Sequence, residues 1–163
     1  MRYFLATALM AFCSFAWSDA EATTVTGTFN VTVTIAATCV LNSATNLNFG
    51  TQGVLAAPIN NESTITVTCT NTTPYNIGLD KGLNGGSVTT RQMKGVARAA
   101  LVNYSLFRDA PMTLNWGQTI GTDTLAGTGN GSAQPYQVYG QIPAQTTPAP
   151  DTYNDTITVT VTY

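Results

Sequence analysis

The chain has 163 residues, of which 44% are hydrophobic and only 9% charged, and it contains no histidine. An average domain carries about 25% charged residues. The formal net charge of −2 leaves no basic stripe for a nucleic-acid partner, and the lack of histidine excludes Ser-His-Asp and Cys-His catalytic arrangements.

In chain order, the first element is a secretory signal peptide. MRYFLATALMAFCSFAWS (1–18) has an early Arg2, an apolar run from Tyr3 to Phe15, and the small residues Ala16 and Ser18 near its end. Cleavage is expected after Ser18, with Ala20 as the alternative. The apolar run is too short for a membrane anchor. No later stretch reaches membrane-spanning length, so the mature chain is expected to be exported and not inserted in a bilayer. It keeps five Lys/Arg and eight Asp/Glu, a net charge of −3, and has the size of one domain.

TVTGTFNVTVTIAA (24–37) follows, with apolar Val25, Phe29, Val31, Val33 and Ile35 alternating with Thr and Asn, and Gly27 as the small interruption. Period-2 alternation marks a strand with one buried face. Fourteen residues is too long for one strand, since strands usually have about five or six. LNSATNLNFGTQG (41–53) is a turn-rich strand passage centred on Leu47 and Phe49. STITVTCT (63–70), TPYNIGLD (73–80) and LVNYSLFRDA (101–110) alternate cleanly, and KGLNGGSVTTRQMKGVARAA (81–100) is a looser Gly-rich section. Leu114 and Trp116 precede the Gly-rich loop GTGNGS (127–132), and PYQVYGQIP (135–143) is another strand. QTTPAP (145–150) cannot continue a sheet ladder. TITVTVTY (156–163) turns Ile157, Val159, Val161 and Tyr163 one way. About seven short strands without an amphipathic helix predict an all-β sandwich.

Cys13 falls in the signal, which leaves Cys39 and Cys69. An even count in an exported chain reads as a structural disulfide. Little points to chemistry. Asp151 and Asp155 read as turn formers. GTGNGS lacks the Lys and the strand–helix context of a phosphate loop and reads as a flexible surface loop. Arg91, Lys94 and Arg98 read as a solvated basic group. The Asn-x-Ser/Thr triplets, for example at Asn30 and Asn71, are what a Thr-rich sequence produces by chance. No enzyme activity, cofactor or metal site is expected.

The termini carry the functional signal. The most regular strand, 156–163, stands last with nothing after it to cover its edge. At the other end, the first half of an over-long β segment is surplus to the domain. One molecule's surplus strand added to the next molecule's open sheet accounts for both features. Val25, Phe29 and Val31 would fill pockets, with Gly27 where no side chain fits. Donor and acceptor surfaces differ, so the contact is head-to-tail and generates an open filament.

YQVYGQIPAQTTPAPDTYNDTITVTVTY (136–163) closely resembles the end of the spore coat protein U domain family, which includes the major pilins of archaic (Csu-type) chaperone–usher fimbriae. The resemblance continues through ATCVLNSATNLNFG, ITVTC, LDKGLNGG…RQM and NYSLFRDAPMTLNWG, and so covers essentially the whole mature chain. Asp151 departs from the pattern, standing where Gly is expected before the Thr-Tyr-x-Asp turn.

The resemblance implies an incomplete immunoglobulin-like β-sandwich of six strands, missing the last, with an amino-terminal donor-strand extension. Its divisions here would be 1–18 signal, 19–32 extension and 33–163 pilin-like domain. The implied donor positions are Val25, Gly27, Phe29, Val31 and Val33. The acceptor edge would be Val33–Ala37 together with Ile157, Val159, Val161 and Tyr163, whose terminal carboxylate would serve a periplasmic chaperone as a handle. Cys39 and Cys69 would tie the first strand to the strand at 64–69. Implied partners are identical or related subunits, that chaperone and an outer-membrane usher. The implied role is a structural subunit of a surface fimbria supporting adhesion and biofilm formation. The alternatives are a secreted coat or matrix protein of the same family and a fimbrial tip binding module.

Overall fold

The computed structural model describes residues 21–163, so the signal peptide and its cleavage site lie outside the described residues. The chain divides into two units after Thr34. Residues 21–34 of the first carry no regular secondary structure and are exposed throughout. Val25 and Phe29 are 95% and 86% exposed, and Gly27 has no neighbour within 4 Å of where a Cβ would stand.

The second unit, 35–163, is an immunoglobulin-like β-sandwich of nine strand segments. These are β1 (Cys39–Ala44), β2 (Ile59–Cys69), β3 (Pro74–Leu79), β4 (Arg91–Gly95), β5 (Leu101–Phe107), β6 (Leu125–Thr128), β7 (Ala133–Ile142), β8 (Tyr153–Asn154) and β9 (Val159–Thr162). Six form one sheet in the order β1-β2-β7-β5-β4-β8, and three form the other in the order β6-β3-β9. The long β2–β7 ladder, Ile59↔Ile142 to Thr68↔Ala133, is the spine of the larger sheet.

Alternation decides which side chains enter the core. Ile65, Val67 and Cys69 of β2, Tyr75, Ile77 and Leu79 of β3, Val102, Tyr104 and Leu106 of β5, and Val138 and Ile142 of β7 are all buried. Trp116 joins them at 0% exposure, and its indole N–H donates to the Ile77 carbonyl at 2.8 Å. Burying a Trp this way requires that its one donor find an acceptor.

The opening segment departs from its period-2 reading. Val33–Ala37, expected to be a strand of this sandwich, is exposed and unpaired, and the first strand begins at Cys39. A strand needs a ladder partner as well as a pattern, and the β2 register supplies one only from Cys39↔Cys69 onward. The turn-rich passage 45–53 likewise has no ladder, although Leu47 and Phe49 pack against the core. Conversely, the Gly-rich section 81–100 contains β4, which alternation hides because its buried residues are Arg91 and Gly95, with Met93 between them only partly buried.

Cys39 and Cys69 are disulfide-bonded and close a separation of 30 residues at the β1–β2 end. The Gly-rich turn is docked there. The Gly131 N–H donates to the Cys69 carbonyl at 3.0 Å, the Gly129 N–H donates to the Thr73 carbonyl at 2.8 Å, and the Thr72 N–H donates to the Gly129 carbonyl at 2.8 Å. A Cβ on Gly129 would lie 2.2 Å from the Thr70 carbonyl oxygen and 2.8 Å from Cys69 Cβ. Its glycines therefore permit close packing over the bridge, and the flexible-loop reading is corrected. Replacing both cysteines by Ser is expected to lower stability by about 3–4 kcal/mol through a less constrained unfolded chain. Urea denaturation of the mature protein reads this as a lower midpoint with a steeper slope, because the unfolded chain without its cross-link exposes more surface.

Candidate functional site

A cleft lined by core residues of both sheets and by the segments that flank them has a volume of about 1230 Å³. That exceeds the roughly 300–1,000 Å³ of small-ligand pockets and suits an extended polymer segment. Its floor is the apolar core itself, including Ile65, Leu79, Tyr104, Leu106 and Val138. Its two lips are residues 44–53 and 147–159.

The first lip continues from β1, the edge strand of the larger sheet, and the second runs into β9, the edge strand of the smaller one. β9 pairs with β3 from Asn76↔Thr162 to Leu79↔Val159, and its other edge has no strand partner among the described residues. On the first lip, Leu47 and Phe49 lie against the backbone of β7. A Cβ on Gly140 would stand 2.5 Å from Leu47 Cδ1 and 3.1 Å from Phe49 Cζ. The Asn61 side-chain amide donates to the Asn48 carbonyl. At one end the lips are tied together by the Leu55 N–H donating to Thr147 Oγ1 at 2.8 Å and the Gln145 N–H donating to the Leu55 carbonyl at 2.9 Å.

The floor residues keep at most 6% exposure, so the floor lies deep beneath the two lips. An entering strand must part the lips, and no continuous ladder holds 46–53 or 147–152.

Aspartates anchor the second lip. Asp155 accepts from the Tyr104 hydroxyl at 2.7 Å, the Leu83 N–H at 2.9 Å and the Asn84 amide at 3.0 Å. Burial and the bond to Asp155 push the Tyr104 phenol well above its usual range. Asp151 accepts from the Ala97 and Arg98 N–H groups at 3.0 and 2.9 Å. The position where glycine was expected thus holds a side chain that fastens the lip to the β4–β5 hairpin. Asp80 accepts from the Thr158 and Gly82 N–H groups at 2.9 and 3.0 Å. Partial burial opposes its ionisation, but bonds from Thr158 and Gly82 and the charge of Arg91 prevail and hold its carboxyl below the usual range.

Arg91 is the residue that sequence reasoning misplaced. It is fully buried, and its guanidinium donates to the carbonyls of Asp80 (2.8 Å), Val88 (2.7 Å), Leu79 (3.0 Å) and Trp116 (2.7 Å). Desolvation lowers its pKa, opposed by Tyr104, Asp80, Asp123 and Asp155. The side chain pins β4, in the larger sheet, to the end of β3, in the smaller one, beneath the cleft. Lys94 and Arg98 are exposed, as read.

Of the sequence-derived acceptor residues, Ile157, Val159 and Val161 are half-buried and pack on the core, whereas Tyr163 is 60% exposed. Val33–Ala37 contributes no edge, which belongs instead to β1. Among the described residues there is no cluster of three or more metal-binding side chains, and no helix is long and apolar enough to cross a membrane.

The chain belongs to the spore coat protein U domain family, whose model matches residues 25–160. It is 32% identical over 162 residues to Protein U of Myxococcus xanthus, covering 91% of this chain and 90% of that protein. Its fold is similar to that in a solved chaperone–tip adhesion subunit pre-assembly complex, CsuC–CsuE, from the archaic chaperone–usher Csu pili of Acinetobacter baumannii. The TM-score is 0.60 at 22% identity, over 80% of this chain and 41% of the solved chain's length. The family match begins at Val25 and so takes in the exposed segment ahead of the sandwich.

Proposed function

We propose that this protein is a structural subunit of a surface fimbria that polymerises by donor-strand complementation. The observation that carries the reading is a pairing within one chain. An apolar-floored cleft has partnerless sheet edges beside it, and the same chain bears an alternating apolar segment that is exposed along its length. Val25, Gly27, Phe29 and Val31 of one copy, with Val33 at the boundary, enter the cleft of the next. There they pair with the acceptor edge at Ile157, Val159 and Val161, toward Tyr163. Each buried side chain contributes roughly 1.5–3 kcal/mol before ordering costs, and main-chain bonds to the edges set the register.

On this reading residues 1–18 direct export, 19–32 are the donor extension and 33–163 the receiving domain. A periplasmic chaperone occupies the cleft before the neighbour does, an outer-membrane usher passes subunits on head-to-tail, and the fibre supports adhesion and biofilm formation without catalysis. The chaperone-bound state of the solved tip subunit supports the first of these steps. A coat or matrix assembled through the same strand exchange is the second reading, favoured by the 32% identity to Protein U.

The test is the mature chain purified with its chaperone, with and without residues 19–32. The intact chain is expected to form ordered filaments once the chaperone is displaced, and the truncated chain is not. Ordered filaments from the truncated chain alone would overturn the proposal, and electron microscopy separates thin fibres from a coat-like sheet.

A further inference from the structure

The face of the larger sheet that points away from the core has an unusual chemistry. On β2 the outward residues include Asn60, Glu62 and Thr64, and on β7 they include Gln137, Tyr139 and Gln141. These are the positions between the buried Ile65, Val67, Val138 and Ile142. The ladder register sets them opposite one another as Asn60↔Gln141, Glu62↔Tyr139 and Thr64↔Gln137. On β5, Phe107 stands directly opposite Tyr139.

Side-chain hydrogen bonds hold this array across the strands. Gln141 Nε2 donates to Asn60 Oδ1 at 3.0 Å, Thr64 Oγ1 donates to Gln137 Oε1 at 2.8 Å, and Gln92 Nε2 of β4 donates to Asn103 Oδ1 of β5 at 2.9 Å. The middle of the face therefore presents two neighbouring aromatic residues flanked by amides and hydroxyls already fixed in place. Over the paired stretches of β2, β7 and β5, Glu62 is the one charged residue, and on β4 the exposed Lys94 stands on the same face opposite Leu101.

We propose that this face is a binding surface for a neutral polysaccharide. Amides and hydroxyls both donate and accept, as sugar hydroxyls do. The negatively polarised face of an aromatic ring suits the C–H face of a pyranose. Cross-strand bonding lowers the entropy lost when the amides engage a ligand. Charge decides among partners. The face's one cation, Lys94, stands on β4 at the margin, so the aromatic centre offers little to phosphates, nucleic acid or an anionic lipid surface, and Glu62 beside Tyr139 repels acidic glycans. The paired length of β2 and β7, ten residues or about 34 Å, accommodates several sugar units in a row. The cleft lies on the opposite, core-facing side of this sheet, so the surface stays available whether or not the cleft is filled.

The experiment is affinity electrophoresis of the mature protein in gels containing mixed-linkage β-glucan, xyloglucan or galactomannan, with polygalacturonate as the acidic control. Retardation is expected in at least one neutral gel, unchanged by 0.5 M salt (about a tenfold excess over low-salt buffer), and absent with polygalacturonate. Tyr139→Ala is expected to weaken it about tenfold. Gln137→Glu, at an exposed position, is expected to weaken it while leaving the urea midpoint unchanged. No retardation in any neutral gel overturns the proposal, as does equal retardation by polygalacturonate. Self-association that Tyr139→Ala abolishes, in gels without polysaccharide, would instead make the face a contact between copies and overturn it too.

Discussion

Replacing Phe29 by Asp is expected to stop filament growth while leaving the folded unit and its chaperone complex intact. Phe29 is 86% exposed in the single chain, so the substitution removes little from the subunit itself. In a neighbour's cleft the cost is large. Loss of the buried ring forfeits roughly 1.5–3 kcal/mol, and an unpaired carboxylate among Leu79, Leu106 and Val138 adds several more. Together these weaken each joint by about a thousandfold or more. Sedimentation velocity and electron microscopy of the assembled material measure the result. Polymers of unchanged length would remove Phe29 from the joint.

Arg91→Met is expected to destabilise the folded unit by about 3–5 kcal/mol, among the largest effects of any single change in the sandwich. The methionine fills much of the space but leaves the carbonyls of Leu79, Asp80, Val88 and Trp116 without their donor. Each buried acceptor left unpaired costs about 1–3 kcal/mol. Arg91→Lys should rescue little, because one ammonium cannot reproduce the planar fork that reaches four carbonyls. Urea unfolding of the two variants beside the parent decides the matter. A midpoint within error of the parent for Arg91→Met would show that the carbonyls find other donors and that Arg91 does not pin the sheets.

How much was legible in the sequence depended on whether the information was local. The strands at 63–70, 73–80, 101–110 and 135–143 could be read directly, because a strand with one face on a core must place an apolar group at every second residue. β2, β3, β5 and β7 occupy those stretches. The Cys39–Cys69 disulfide could be read from the two cysteines that follow the apolar leader-like stretch. β4 was invisible, since its fully buried side chain is a cation whose acceptors come from 3 to 25 residues away in the chain. The turn at Gly129–Gly131 passed for a flexible loop, because glycines that allow motion and glycines that allow close packing look alike until the Thr70 carbonyl is placed beside them.

The sequence by itself determined that this is an all-β domain preceded by an alternating apolar segment, since period and composition are properties of neighbouring residues. Tertiary structure alone decided where the first ladder begins. The alternation runs from Thr24 to Ile35 with Gly27 as its interruption, yet the strand ladder to β2 begins only at Cys39↔Cys69. A pattern can announce that a segment will pair. Which backbone it pairs with is settled by distance in space.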